Sequence, residues 1–501
     1  MTASPGSVPA SAPATPSFAT TETHTGYVPG TPQNPVAVPI YQSSAYEFES
    51  FEAARNLFAL KSSGNLYSRN GTPTQAVLEK RVNALEGGVG ALAVGSGQAA
   101  VAVTLLTLVH TGQHIVASNK IYGGTTDLLT DTCKDFGIDV TLVDPLDLDA
   151  WEAAIRPETR AALVEGVGNP IATLADVRAI ADIVHAHGVP LVVDNTVATP
   201  ILFRPFEHGA DFVVHSATKF MGGHGTSVAG VIVDGGTFDF TAEPEKWPTF
   251  TTPYARYADL VFTEEFALPA PGVPREDGKS PFLVLARSKG VHDLGPSLSP
   301  FNAFQILQGI ETLSLRMDRH TRSALEVARF LEAHPAVAKV HHPGLESHPD
   351  HATAERLYPQ GIGSVFSIDL ACGEDEDPIE VSGRFIDSLT LFALVANIGD
   401  ARSLVVHPAT MTHSRLNAEQ RAEAQITLTT IRLSIGLEDV RDLTADLGKA
   451  LDRVRPAGQH AAGQNTAGQH IAGQATAGQA PAGHPAEAVP GGRGASAAVP
   501  A

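Results

Sequence analysis

Residues 211–219 read DFVVHSATK, and residues 190–195 read PLVVDN. Each holds a short, Val-rich run without charge, FVV (212–214) and LVV (191–193), that ends where polar groups crowd together. One ends in Asp194 and Asn195, the other in Ser216, Thr218 and Lys219. Runs of this kind are buried on both faces, as strands of a parallel sheet are. More follow the same pattern at ALAV (91–94), HIVAS (114–118), DVTLV (139–143), AALVEGV (161–167) and VAGVIVD (228–234). Helical stretches separate most of them. LEKRVNAL places Leu78, Val82 and Leu85 on one face, and DVRAIADIVHAH does so with Val177, Ile180, Ala181 and Val184. Thr72, Pro73 and Gln75 fit an N-cap, N1 and N3 of a capping box. The alternation predicts an α/β fold with a mostly parallel seven-stranded sheet covered on both faces.

Ligands on open α/β sheets bind beyond the carboxyl ends of the strands. There the sequence places GSGQAA (95–100), Tyr122, Asn169, Asp194, and then Ser216, Thr218 and Lys219. Each alone has a plain structural reading. A lysine after a strand caps it in solvent, Asp194 serves as a helix N-cap, Tyr122 packs, and GSGQAAV lacks the third glycine of a dinucleotide fingerprint. Together they form a rim with an amine, a carboxylate and a phosphate cradle. That set suits pyridoxal phosphate: Lys219 forms the Schiff base and Asp194 keeps the pyridine nitrogen protonated. The helix start at Gly97–Gln98, with the hydroxyls of Ser216 and Thr218, supplies phosphate donors, and Tyr122 stacks on the ring.

The remainder bounds this reading. The chain has 501 residues, with 54 acidic against 34 basic side chains and a formal charge of −20. Such a surface repels nucleic acid and anionic membranes and directs attention to small molecules. Cys133 and Cys372 are the only cysteines, too few for a disulfide framework or a thiolate zinc site. With no apolar run of membrane-spanning length, the chain is expected to be soluble and cytoplasmic. Residues 1–20 read as a disordered leader, and 456–501, with an Ala-Gly-Gln unit every five residues, as a disordered tail. Residues 235–281, rich in Pro and aromatics, are expected to form a lid or binding segment. SPFNAFQILQGIETLSLRMDRHTRSALEVARFLEAH reads as strongly helical, and from about residue 286 to 455 a smaller α+β domain is expected. His341, His342, His348 and His351 raise a metallohydrolase reading. No acid shares a clean helical spacing with them, and that reading leaves the rim unexplained.

In order along the chain, YSRNGTPT (67–74), GSGQAA (95–100), YGGT (122–125), GNP (168–170), VVDNTVATP (192–200), HSATKFMGGHG (215–225) and IRLSIGLED (431–439) resemble the Cys/Met-metabolism family of pyridoxal-phosphate enzymes, of fold type I. The likeness covers about Tyr27 to Val454. It implies that Lys219 carries the cofactor, that Asp194 meets its ring nitrogen, and that Asn169 lies near its phenolic oxygen. It implies a phosphate site of Gly97, Gln98, Ser216 and Thr218, with Tyr67 and Arg69 of the 21–75 arm reaching the phosphate of a neighbouring subunit. Arg432 is implied to clamp the substrate carboxylate with support from Ser403, and Tyr122 to exchange a proton near the leaving group. Thr72 stands where the family usually has Asn, and Gly124 where methionine γ-lyases carry a reactive Cys. The stretches 235–281, 298–317 and 396–416 resemble the O-acetylhomoserine sulfhydrylase branch. The reaction implied is γ-replacement: O-acetyl-L-homoserine and sulfide, or another thiol, to L-homocysteine or a thioether and acetate. Cystathionine γ-synthase and the methionine or cystathionine γ-lyases are the alternatives, and an inactive scaffold runs against the intact Lys219, Asp194 and Arg432. The family also implies a tetramer of two catalytic dimers.

Overall fold

The alternation builds the sheet it implies. In the computed structural model, which describes residues 16–30 and 33–454, the strands are β1 (Gly90–Val94), β2 (His114–Ser118), β3 (Asp139–Val143), β4 (Thr159–Glu165), β5 (Leu191–Asp194), β6 (Phe212–His215) and β7 (Gly230–Asp234). They pair in the order β1–β7–β6–β5–β4–β2–β3. Only β7 runs against the rest, antiparallel to both β1 and β6. Side-chain alternation divides each strand between two cores. Val193 and Val213 belong to one, while Val192, Phe212 and Val214 belong to the other, all at most 1% exposed.

The helix Pro73–Glu86 covers the first face, with Leu78, Val82 and Leu85 fully buried. Thr72 accepts the N–H of Gln75 at 3.2 Å, and the helix stops at Gly87, whose φ of 85° suits glycine. Only half of the expected capping box forms, because the Gln75 amide donates to the Leu298 carbonyl instead. Val177, Ile180, Ala181 and Val184 of helix Val177–Ala186 face the same core, all fully buried. The second face is covered by the helix Gly97–Leu108 and by the insertion.

A second sheet joins the first within one compact unit. It comprises β8 (Val337–His341), β9 (Val365–Leu370), β10 (Ala393–Leu394), β11 (Leu404–Val406) and β12 (Thr430–Ser434), in the order β10–β11–β12–β9–β8. Before it, the helical stretch splits into Pro300–Ile310 and Leu313–Glu332. Gly309 lies against the backbone after Lys219, where a Cβ would meet the Met221 and Gly222 carbonyl oxygens at 2.4 Å.

Two expectations need correction. The leader does not extend through residue 20, because a helix spans Phe18–His24, and Glu22 accepts from the Ser314 hydroxyl at 2.6 Å. Residues 1–15 and the repeat tail lie outside the described residues. The insertion is not a lid over the strand ends. Its irregularly spaced aromatics pack on one another against the second core, with the Phe240 and Phe250 rings stacked at 4.0 Å. Among the described residues no helix is long and apolar enough to cross a membrane, and no acid–histidine–cysteine cluster could hold a metal. His341 instead pairs with Asp369 at 2.8 Å.

Candidate active site

The ends of β4, β5 and β6 open into a cavity of about 800 Å3, on which Gly97, Gln98, Tyr122, Asn169, Asp194, Ser216, Thr218, Lys219 and Arg432 all meet. Glycine makes the meeting possible. The turns after β1 and β6 approach so closely that a Cβ on Gly97 would lie 2.5 Å from that of Ser216. Ser96 caps the helix that follows, accepting the Ala99 N–H at 3.0 Å, so the remaining first-turn N–H groups point outward as anion donors. The Ser216 backbone N–H is held by Thr196 Oγ1 at 2.8 Å, leaving its hydroxyl toward Gly97. Thr218 differs: its hydroxyl already donates to the Ala229 carbonyl at 3.1 Å and accepts the Ala229 N–H at 3.0 Å.

Lys219 is half-buried, and its Nζ donates to Asn397 Oδ1 at 2.6 Å. Burial and, second, the nearby Arg432 charge bring its pKa down to about 8. At neutral pH a useful fraction is therefore unprotonated amine, as a nucleophile or base requires. Beneath it, Asp194 at the end of β5 stands in register with Glu165 at the end of β4. Desolvation raises both carboxyl pKa values, and the Asp194 charge adds to the rise at Glu165. The Thr196 N–H, 2.9 Å from Asp194 Oδ1, opposes the rise at Asp194. A cationic ring nitrogen placed against Asp194 would relieve the pair.

Arg432, on β12, is buried. It donates to Asn169 Oδ1 at 3.1 Å and to the Asn397 carbonyl at 3.0 Å, both neutral. No carboxylate pairs with it among the described residues, and burial lowers its pKa to about 10. A buried guanidinium left without a counter-ion is poised for an anionic ligand, and its planar fork suits a carboxylate.

Three expected residues stand elsewhere. Tyr67 and Arg69 lie on a separate surface depression with Ser297, the Arg69 guanidinium 5.6 Å from the centre of the Tyr67 ring. Ser403, expected to support the substrate carboxylate, does not reach the cavity: it is fully buried, donating to Glu438 at 2.9 Å and accepting the Gly436 N–H at 2.8 Å.

Other contributors were not singled out from the sequence. Glu165 accepts the Tyr122 N–H at 2.6 Å and the Asn169 N–H at 3.1 Å, so one carboxylate fixes two cavity residues. Its signal is the one Asp194 carries, an acid closing an apolar strand. Asn397 bridges Lys219 and Arg432, and no local pattern marks it. Under the floor, the His215 ring lies 2.5 Å from Glu86 Oε1, which also accepts from Asn195 at 3.0 Å.

The donor set fits pyridoxal phosphate: an amine of lowered pKa, a buried carboxylate, an aromatic ring at the wall and a helix start cleared by glycine. The Cys/Met metabolism PLP-dependent enzyme family matches residues 19–452. The chain is 45% identical to an O-acetyl-L-homoserine sulfhydrylase of Leptospira meyeri, covering 86% of this chain and 96% of that one. It is 43% identical to O-acetyl-L-homoserine sulfhydrylase 1 of Thermus thermophilus, covering 87% and 99%. The structure of metY from Campylobacter jejuni, solved with N'-pyridoxyl-lysine-5'-monophosphate, superposes with a TM-score of 0.81 at 38% identity, covering 87% of this chain and 99% of that one. On the strength of the cavity's chemistry and of a match spanning almost all described residues, the chain belongs to the Cys/Met metabolism PLP-dependent enzyme family.

Proposed function

We propose that the protein catalyses γ-replacement on O-acetyl-L-homoserine, giving L-homocysteine and acetate with sulfide, as a step in methionine biosynthesis. The observation that carries this is the buried Arg432, without a counter-ion among the described residues and joined to Lys219 through Asn397. An amino acid binds there with its carboxylate on Arg432 and its Cα toward Lys219. Relatives named O-acetyl-L-homoserine sulfhydrylase, alike over most of their length, support the choice of substrate.

Pyridoxal phosphate, when bound, supplies an electron sink for negative charge developing on the substrate carbons. Lys219 holds it, Asp194 keeps its ring nitrogen protonated, and the Gly97–Gln98 helix start with Ser216 takes its phosphate. Thr218 would join that set if its hydroxyl left Ala229, Tyr122 would cover the ring face, and Asn169 would face the phenolic oxygen. During turnover, Lys219 Nζ takes the proton from substrate Cα, a role its lowered pKa allows near neutral pH. Tyr122 exchanges a proton beside the departing acetate. Tyr67 and Arg69 serve the phosphate of a neighbouring subunit, so a cytoplasmic oligomer built from catalytic dimers is part of this reading. So is a division of the chain near residue 286 into a cofactor-binding part and a smaller C-terminal part.

Product analysis tests the proposal. Holoenzyme with O-acetyl-L-homoserine and sulfide is expected to yield homocysteine and acetate, with no 2-oxobutyrate in the absence of a thiol. Cystathionine formed preferentially from L-cysteine would move the protein to the synthase branch. Donor-independent 2-oxobutyrate would make it a lyase.

A further inference from the structure

Besides Tyr122, Asp194, Glu165, Lys219 and Arg432, the ionisable side chains on the cavity wall are Asp127, His413 and Arg415. They belong to two segments that face each other at its outer end. Asp127 closes the short helix Gly123–Asp127 behind Tyr122, while His413 and Arg415 follow the turn at Pro408–Thr410. The segments meet closely, since a Cβ on Gly123 would lie 2.7 Å from the Thr412 carbonyl oxygen. Across that seam, Arg415 Nη1 donates to Asp127 Oδ2.

We propose that the Asp127–Arg415 ion pair sets the acyl-group specificity of this site, by withholding the outer cation from any substrate that carries a second carboxylate. The inference rests on the proposed function and names the substrate class more narrowly, as uncharged acyl esters of homoserine. Arg432 is committed to the amino-acid carboxylate and Lys219 to the cofactor. His413 is held neutral, with a pKa of about 4 set by burial and by Arg432. Among the described residues of one subunit, Arg415 is the one cation left on the wall, and Asp127 already balances it. A succinyl ester reaching this end must break the pair and then lie beside the Asp127 carboxylate, whereas an acetyl ester brings no charge. Rejection by withholding the matched cation is a device that leaves binding of the smaller ester untaxed. Arg415 is largely exposed, at 79%, and Asp127 partly so, at 43%, so the pair adds little to folding and its variants are expected to fold.

The test compares kcat/KM for O-succinyl- and O-acetyl-L-homoserine, with sulfide as the second substrate, in the holoenzyme. Wild type is expected to favour the acetyl ester. Asp127→Asn frees Arg415 and is expected to raise the succinyl-to-acetyl ratio by about tenfold or more, mainly through a lower KM for the succinyl ester. Asp127→Asn combined with Arg415→Gln is expected to return the ratio to within about threefold of wild type. An unchanged ratio in Asp127→Asn overturns the inference while the proposed function stands. So does a raised ratio that survives in the double variant, which would point to a loosened seam and not to a freed cation. Wild type consuming neither ester would overturn the proposed function, and this inference with it.

Discussion

Two cavities of similar size lie among the described residues, and they handle charge in opposite ways. The one at the strand ends measures about 800 Å3; the other, between residues 57–66 and the insertion, about 870 Å3. On the wall of the larger cavity each arginine is matched to a carboxylate. Arg287 bonds both oxygens of Glu79 at 2.8 and 2.9 Å, Arg256 bonds Asp293 at 2.6 and 2.9 Å, and Arg275 bonds Asp277 at 3.1 Å. In the smaller cavity, Lys219 and Arg432 donate only to amide oxygens, while Asp194 and Glu165 accept from backbone N–H groups. Those charges are buried without being neutralised, and their pKa values are displaced accordingly. Volume does not distinguish the reactive cavity. Charge left available to a ligand does.

The sharpest way to break this comparison is Lys219→Ala. Activity with O-acetyl-L-homoserine and sulfide is expected to fall roughly 10³- to 10⁴-fold, since one group both holds the cofactor and moves the proton. Borohydride reduction of wild type is expected to fix the cofactor on the peptide that carries Lys219, and the variant to show none there. The pH dependence follows from the lowered pKa. Apoprotein should recapture pyridoxal phosphate faster as pH rises through about 8, where the amine loses its proton, and more slowly below it. Arg432→Gln removes a repelling charge and is expected to move that midpoint upward. A midpoint near that of a free lysine in wild type would contradict the site's electrostatics.

Arg432→Lys tests the unpaired guanidinium more gently. The positive charge remains, but the fork that spans Asn169, Asn397 and a ligand carboxylate is lost. A charged hydrogen bond of that kind is worth about 1.5–3 kcal/mol, so kcat/KM is expected to drop roughly 10²-fold. Retention of wild-type kcat/KM would place the substrate carboxylate elsewhere. Glu165→Gln comes next. Glutamine has one acceptor oxygen where glutamate has two, so either the Tyr122 or the Asn169 N–H loses its partner. The cost of one such bond, about 1 kcal/mol, predicts a loss of roughly five- to tenfold. An unaffected rate would show that Glu165 does not hold the wall in its working form.

How much of this was legible in the sequence depends on how local each signal is. All seven strands of the first sheet were: six are covered on both faces and leave short β-branched runs that end abruptly, and the edge strand β3, partly exposed from Asp139 to Leu142, keeps the same run. The rim residues Asp194, Ser216 and Lys219 were legible for the same reason, as the polar groups at which those runs stop. Glu165 carries that signal too, but AALVEGV reads as one strand through Val167, whereas β4 ends at the acid itself. Asn397 and the Asp127–Arg415 pair were not legible, since they arise where segments far apart in the chain are brought together by the two sheets. Ser403 was misplaced for a related reason: Glu438, 35 residues further on, captures its hydroxyl. The insertion was legible only in part, because aromatic residues at irregular spacing suit a ligand surface and a self-packed cluster equally well. Phe240 and Phe250 stack within it, while Tyr257 and Phe266 line the larger cavity.

The smallest effect is expected where the comparison predicts that charge does nothing for chemistry. Arg256 lines the larger cavity and bonds both oxygens of Asp293, each side chain more than a third exposed. Water screens such a pair, so Asp293→Asn should lower stability by no more than about 1 kcal/mol in a denaturant titration. Because the substitution leaves the strand-end cavity and its unmatched charges untouched, kcat/KM should stay within about twofold of wild type. A large loss of activity with little loss of stability would mean that the two cavities are coupled. The matched charges of the larger one would then take part in function, and the distinction between spent and available charge would fail as a guide to the active site.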